Sequence, residues 1–254
     1  MALPRILPLA KDIELPISKL HATVQAFTVK EEKNLLLSKD LGDLILENSL
    51  LRLIALKTTF KEEDAKVDNL CLCDVLVLLI EILSLSKTSK QDLAFRCSNQ
   101  ISKGKDKEKH ECGTRIDLQV NLADYRIEGE SENGKLINLT DDIGVELQYP
   151  KYSTIAPLQG RDDLTEDDYL NVYADCIKAI YSGDEMHTGF TKDELLAWFN
   201  ELPGEHLKTF VEFVEKMPRL VLDYEVKCPN CGNKLEFHAV NVLDFFTSST
   251  AQTE

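Results

Sequence analysis

The stretch Tyr224-Glu225-Val226-Lys227-Cys228-Pro229-Asn230-Cys231-Gly232-Asn233-Lys234-Leu235-Glu236-Phe237 sets a C-P-x-C-G knuckle between two runs that alternate apolar and polar residues. Two cysteines one tight turn apart, followed by a Gly free to take positive φ, aim two thiolates at one ion. One such pair is half of a tetrahedral zinc site. The other half reads at Phe95-Arg96-Cys97 and Cys112-Gly113-Thr114-Arg115-Ile116-Asp117-Leu118, more than a hundred residues upstream.

The halves form an internal repeat. Each Cys-Gly is followed, one residue on, by a basic, an apolar, an acidic and an apolar residue: Arg115-Ile116-Asp117-Leu118 and Lys234-Leu235-Glu236-Phe237. Both copies close on V-N-x-x-D-aromatic, at Val120 to Tyr125 and, with one extra residue, at Val240 to Phe245. Phe95-Arg96 before the first cysteine matches Val226-Lys227. This predicts two related β-hairpins forming a zinc-ribbon-like module, with Cys97, Cys112, Cys228 and Cys231 around one structural zinc. The alternative is a degenerate site that keeps its knuckles as plain turns. His110 and His238 each lie beside a complete thiol set and read as bystanders, and Cys71, Cys73 and Cys176 read as core residues, the first two facing different sides of a helix.

Around this module the sequence reads as α+β. Ile13–Leu15 and Ala22–Phe27 are β-like, and Thr28-Val29-Lys30-Glu31 is a capping box opening a helix. Helical periodicity continues through Leu44 to Leu56. The apolar run from Leu70 to Leu85 contains Asp74 and Glu81 and is shorter than the roughly 20 residues a bilayer needs, so it predicts a buried helix. The region after the first cysteine hairpin is β-rich, with Asn133-Gly134 as a hairpin signal, and a Ser/Thr/Pro/Gly-rich loop follows at 150–162. Three helices are then predicted. The first starts at Thr165 with an apolar stripe running to Tyr181, the second starts at Thr191, and the third carries Leu207 to Met217. The expected organisation is an N-terminal strand and helical region at 1–91, a β region with the first cysteine hairpin at 92–160, an acidic helical insertion at 161–219, and the returning hairpin at 220–254.

Composition bounds the function. With 43% hydrophobic and 29% charged residues the chain is of ordinary globular composition. The net charge is −15, and residues 161–254 hold 19 acidic against 8 basic side chains, which opposes binding to a phosphate backbone. Seven cysteines, an odd number, and an opening too short for a signal peptide fit a reducing compartment. There is no G-x-S-x-G, no H-E-x-x-H and no phosphate-binding glycine loop. Asp184 to Gly189 lacks the ligand residues of an EF-hand, and Lys103 to Lys109 reads as a charge-balanced surface loop. A zinc held by four thiolates has no open position for water, so neither an enzyme nor a cofactor site other than the metal is expected.

Several segments carry a family resemblance: Ala26-Phe27-Thr28-Val29-Lys30-Glu31-Glu32-Lys33-Asn34-Leu35-Leu36-Leu37, Val67-Asp68-Asn69-Leu70, Asp141-Asp142-Ile143-Gly144-Val145 with Tyr149-Pro150, and the terminal knuckle with Leu243-Asp244-Phe245-Phe246. In this order they resemble the baseplate hub proteins of contractile-tailed, T-even-like bacteriophages. The apolar Leu70 to Val75 stretch and the lysine-rich insertion depart from that pattern. The resemblance implies a non-enzymatic structural or assembly protein in the virion tail baseplate, or in the host cytoplasm during assembly. Its partners would be other hub and tail proteins, with no nucleic acid, membrane or small-molecule substrate. A zinc-ribbon adaptor in nucleic-acid transactions is the alternative.

Overall fold

The computed structural model describes residues 6–86, 90–102, 109–129, 131–158 and 161–239. Three apolar clusters organise them.

The first cluster gathers around one helix. An antiparallel sheet of β1 (Ala10–Glu14), β2 (His21–Gln25) and a later strand receives two helices, α1 (Val29–Asp40) and α2 (Asp43–Lys57). Thr28 and Glu31 cap α1 reciprocally: the Thr28 N–H donates to Glu31 Oε2 at 2.6 Å and the Glu31 N–H to Thr28 Oγ1 at 3.4 Å. The Glu31 carboxylate also meets the buried Lys57 ammonium at 2.8 Å. The apolar periodicity therefore spans two helices, which part at Gly42 with φ at 115°. After β3 (Thr58–Phe60), helix α3 (Leu72–Ser86) fills the centre, with Val75 through Ile80, Ile82 and Leu83 all buried. Fully burying each such side chain is worth about 1.5–3 kcal/mol. Its one buried acid, Asp74, accepts the Ile17 N–H at 3.0 Å and the Ser18 N–H at 2.8 Å. Among the described residues no helix is long and apolar enough to cross a membrane.

The chain then builds the first cysteine hairpin: β4 (Lys90–Arg96), β5 (Gln100–Ser102), β6 (Lys109–Glu111) and β7 (Arg115–Asn121). β4 pairs with β7, and β5 with β6. Next come β8 (Arg126–Glu128), β9 (Leu136–Asn138) and β10 (Ile143–Leu147). Asn133-Gly134 does form a turn, closed by the Lys135 N–H to the Glu132 carbonyl at 3.0 Å. It does not join paired strands, however, because β9 pairs forward with β10 and β8 is reserved for a strand near residue 220. The segment after Pro150 is also more ordered than a plain loop. It holds α4 (Tyr152–Ile155) and a 3-10 turn, and buried Tyr152 donates its hydroxyl to Glu47 Oε1 at 2.7 Å.

The second cluster joins the insertion to β10, Tyr149 and residues near the start of α3. Helix α5 (Glu166–Asp175) begins at the Thr165/Asp168 capping box but stops well short of Tyr181. Ile177–Ser182 forms strand β11, which pairs with β10 and turns through Gly183 into β12 (Glu185–His187). The stripe Cys176, Ile177, Ile180 fits a helix by spacing, yet Ile177, Ile180 and Tyr181 also suit a strand, and beside an open sheet edge the segment gains ladder hydrogen bonds and buries Ile177, Ala179 and Ile180. Helices α6 (Lys192–Glu201) and α7 (Gly204–Glu215) pack Leu195, Phe199, Phe210 and Phe213 against Val145, Leu147 and Tyr149. Cys71, Cys73 and Cys176 join this same cluster. Cys71 lies just before α3, bridged to Lys151, so it and Cys73 do not face apart. Burial, and secondarily Asp74, pushes the Cys71 and Cys73 thiols up to about 12, leaving them inert.

The chain leaves the cysteine module after β8 and returns to it, side by side, at β13 (Arg219–Lys227). This strand pairs antiparallel with β8 through Arg219 to Val221, and then with β14 (Lys234–Ala239) through Leu222 to Lys227. Arg126 bridges to Asp223 across this junction. Entry and exit lie side by side, so the second cysteine hairpin is delivered to the first. The apolar tail Val242–Phe246 and residues 103–108 of the lysine-rich loop lie outside the described residues.

Candidate metal centre

The two hairpins meet in the third cluster, and the repeat in sequence is a repeat in geometry. Arg96 opposes Arg115 and Phe95 opposes Ile116; in the second copy Lys227 opposes Lys234 and Val226 opposes Leu235. The knuckles share their backbone bonds. Cys97 N–H donates to the Thr114 carbonyl at 3.0 Å, and Cys228 N–H to the Asn233 carbonyl at 2.9 Å. Gly113 and Gly232 return to the carbonyls of Cys97 and Cys228, each at 2.9 Å. Both glycines have positive φ, 63° and 71°. A Cβ on Gly232 would meet nothing within 4 Å, so the requirement for Gly is purely conformational. Gly232→Ala is expected to cost about 1–2 kcal/mol of stability, measurable by urea denaturation.

Fourteen residues separate the cysteines of the first knuckle, and among the described ones β5 pairs with β6. The Cys112 N–H to the Asn99 carbonyl, at 2.8 Å, closes the base of that strand pair and restores the turn. Tyr224 seats one hairpin on the other. Its hydroxyl accepts the Asn121 N–H at 2.6 Å and donates to the Asn121 carbonyl at 2.9 Å.

Four sulfurs converge as a result. The Sγ atoms of Cys97, Cys112, Cys228 and Cys231 all lie within 4.8 Å of one another. The pairs Cys97–Cys231 and Cys112–Cys228, each joining the two hairpins, are 3.7 Å apart. A disulfide needs about 2.05 Å, whereas a tetrahedron with Zn–S bonds of about 2.3 Å has edges of about 3.8 Å. Phe95, Ile116, Val226 and Leu235 line the cluster and exclude water from its inner side. The donor set and its spacing fit a tetrahedral thiophilic cation.

Donors around the sulfurs favour ionised thiols. Cys112 is lowered to about 6, first by the Thr114 hydroxyl at 3.2 Å and then by the Asn230 amide at 3.3 Å. Cys231 is lowered chiefly by the Asn233 N–H, with the Asn99 amide at 3.6 Å contributing. The Asn99 N–H favours a Cys97 thiolate too, but burial and the three facing sulfurs outweigh it and push that thiol up to about 12. Four thiolates in this space repel one another, so full ionisation requires a cation between them. His110 sits on β6 opposite Ile101, its Nε2 buried without a hydrogen-bond partner. The His238 side chain lies outside the described residues. Asn99, Thr114 and Asn230 were not singled out from sequence; the signal available was an Asn or Thr within two residues of each cysteine knuckle.

Residues 10–247 match the family of the T4 bacteriophage base plate protein. A comparison with curated proteins gives no significant match, nor does one with solved structures. The match takes in every strand and helix described above, from β1 through β14, and on that extent the chain belongs to the T4 bacteriophage base plate protein family, a structural and non-catalytic class.

Proposed function

We propose that this protein is a non-enzymatic structural or assembly subunit of the tail baseplate hub, acting through contacts with other hub and tail proteins. The observation that carries this reading is the family match over residues 10–247. On this reading the protein works in the virion tail, or in the host cytoplasm while the baseplate is built. A net charge of −15 steers it towards basic protein surfaces and away from DNA. Within this reading, Cys97, Cys112, Cys228 and Cys231 hold one structural zinc in a zinc-ribbon-like module. The N-terminal region 1–91, the β region 92–160, the acidic insertion 161–219 and the returning segment 220–254 are the units it ties together. Zinc bound by four thiolates supplies a cross-link between distant parts of the chain and leaves no position for a substrate.

Two measurements test the proposal. Elemental analysis of the purified chain is expected to give one zinc per molecule, and the cobalt-substituted protein the absorption of a four-thiolate site. A metal-free protein, or a cobalt spectrum of mixed ligands, would contradict the zinc assignment. Co-expression with neighbouring tail genes, followed by pull-down and electron microscopy, is expected to show hub association and defective baseplates when the chain is omitted. Normal, infectious baseplates without it, or tight salt-resistant binding to DNA, would overturn the hub role.

A further inference from the structure

The two knuckles exchange more than sulfur contacts. Cys97 and Cys228 are buried, while Cys112 and Cys231, the second cysteine of each knuckle, are half-buried. Each of these more open sulfurs receives a side-chain amide from the opposite hairpin. Asn230 Nδ2, in the second knuckle, donates to Cys112 Sγ at 3.3 Å. Asn99 Nδ2, in the first, donates to Cys231 Sγ at 3.6 Å. Asn99 is itself tied down, since its carbonyl accepts the Cys112 N–H at 2.8 Å and its N–H is directed to Cys97. One asparagine thus touches three of the four cysteines. Asn230 sits in the tight turn between Pro229, whose φ is fixed by its ring, and Cys231.

We propose that Asn99 and Asn230 are reciprocal positioning residues of the metal centre, each locking the opposite hairpin's outer thiolate onto the ion. The proposal rests on the zinc reading above. Four thiolates on a divalent cation leave a net charge of about −2, and amide donors aimed at the sulfurs offset it while fixing their direction. Because each amide reaches across, both bonds exist only when the hairpins are docked. Metal retention and hairpin pairing are therefore one event.

The test uses full-length protein with Asn99→Ala, Asn230→Ala, Asn99→Asp and Asn230→Asp, each loaded with zinc and titrated with a chromophoric chelator. Each alanine variant is expected to bind zinc about 10–100-fold more weakly while still taking up one ion at saturation with a four-thiolate cobalt spectrum. The aspartate variants keep the shape but present an acceptor to a thiolate, and are expected to weaken binding at least as much. Melting of the chelator-treated chains should match that of the chelator-treated parent, which separates metal positioning from a general folding defect. Affinities within about twofold of the parent, or aspartate variants that bind as well as the parent, would overturn the proposal. A parent that binds no zinc would instead refute the metal centre itself, and that result is visible before any variant is made.

Discussion

Cys228→Ser is expected to purify without zinc and to melt on the order of 10 °C below the parent. A structural zinc site contributes on the order of 10 kcal/mol of apparent binding energy, and for a chain of this size 1 kcal/mol moves the melting temperature by roughly 2–4 °C. Losing one ligand forfeits several kcal/mol of the total. The loss is concentrated in the third cluster, where, among the described residues, the large apolar side chains are Phe95, Ile116, Val226 and Leu235. Limited proteolysis is expected to release the region beyond β13 first. Cys176→Ser provides the control: that thiol is buried in the second cluster, donating to the Val172 carbonyl at 3.3 Å, and its replacement should leave the zinc content at one. A Cys228→Ser protein that retains zinc and the parental melting curve would refute the assignment.

Asp74→Ala is expected to destabilise the chain by about 3 kcal/mol. Its carboxylate is fully buried and is the acceptor for two backbone N–H groups, those of Ile17 and Ser18. Removing it leaves two donors without a partner, each costing about 1–3 kcal/mol when water cannot reach it. It also removes a negative charge from the first turn of α3, where the helix dipole favours one. The damage should spread, because Ile17 and Cys73 pack in the second cluster while Val75 and Leu76 pack in the first. Asp74→Asn keeps one acceptor oxygen and is expected to lose about half as much. Urea denaturation of the three proteins decides it, and an Asp74→Ala midpoint equal to the parent's would show that the carboxylate is dispensable.

Local chemistry was legible in the sequence wherever a few adjacent residues settle their own conformation. The capping boxes at Thr28, Thr165 and Thr191 start helices where the Thr-x-x-acid spacing places them, since hydroxyl and carboxylate satisfy orphan N–H groups without help from the rest of the fold. The run after Leu70 had to be buried because its apolar residues far outnumber Asp74 and Glu81. The cysteine hairpins were readable because the repeat wrote the same register twice, down to Phe95 opposite Ile116 and Val226 opposite Leu235. What the sequence left open were choices between partners. Ile177 to Tyr181 has a spacing that serves helix and strand alike, and the exposed edge of β10 decided for strand. Asn133-Gly134 fixes a turn, but β8 found β13 and β9 found β10, because pairing depends on residues far away. The four cysteines that converge were picked out by the C-P-x-C-G knuckle and the repeat together. That the outer thiol of each knuckle is held by an asparagine of the other follows from how the hairpins face each other, and a one-dimensional pattern carries no information about that.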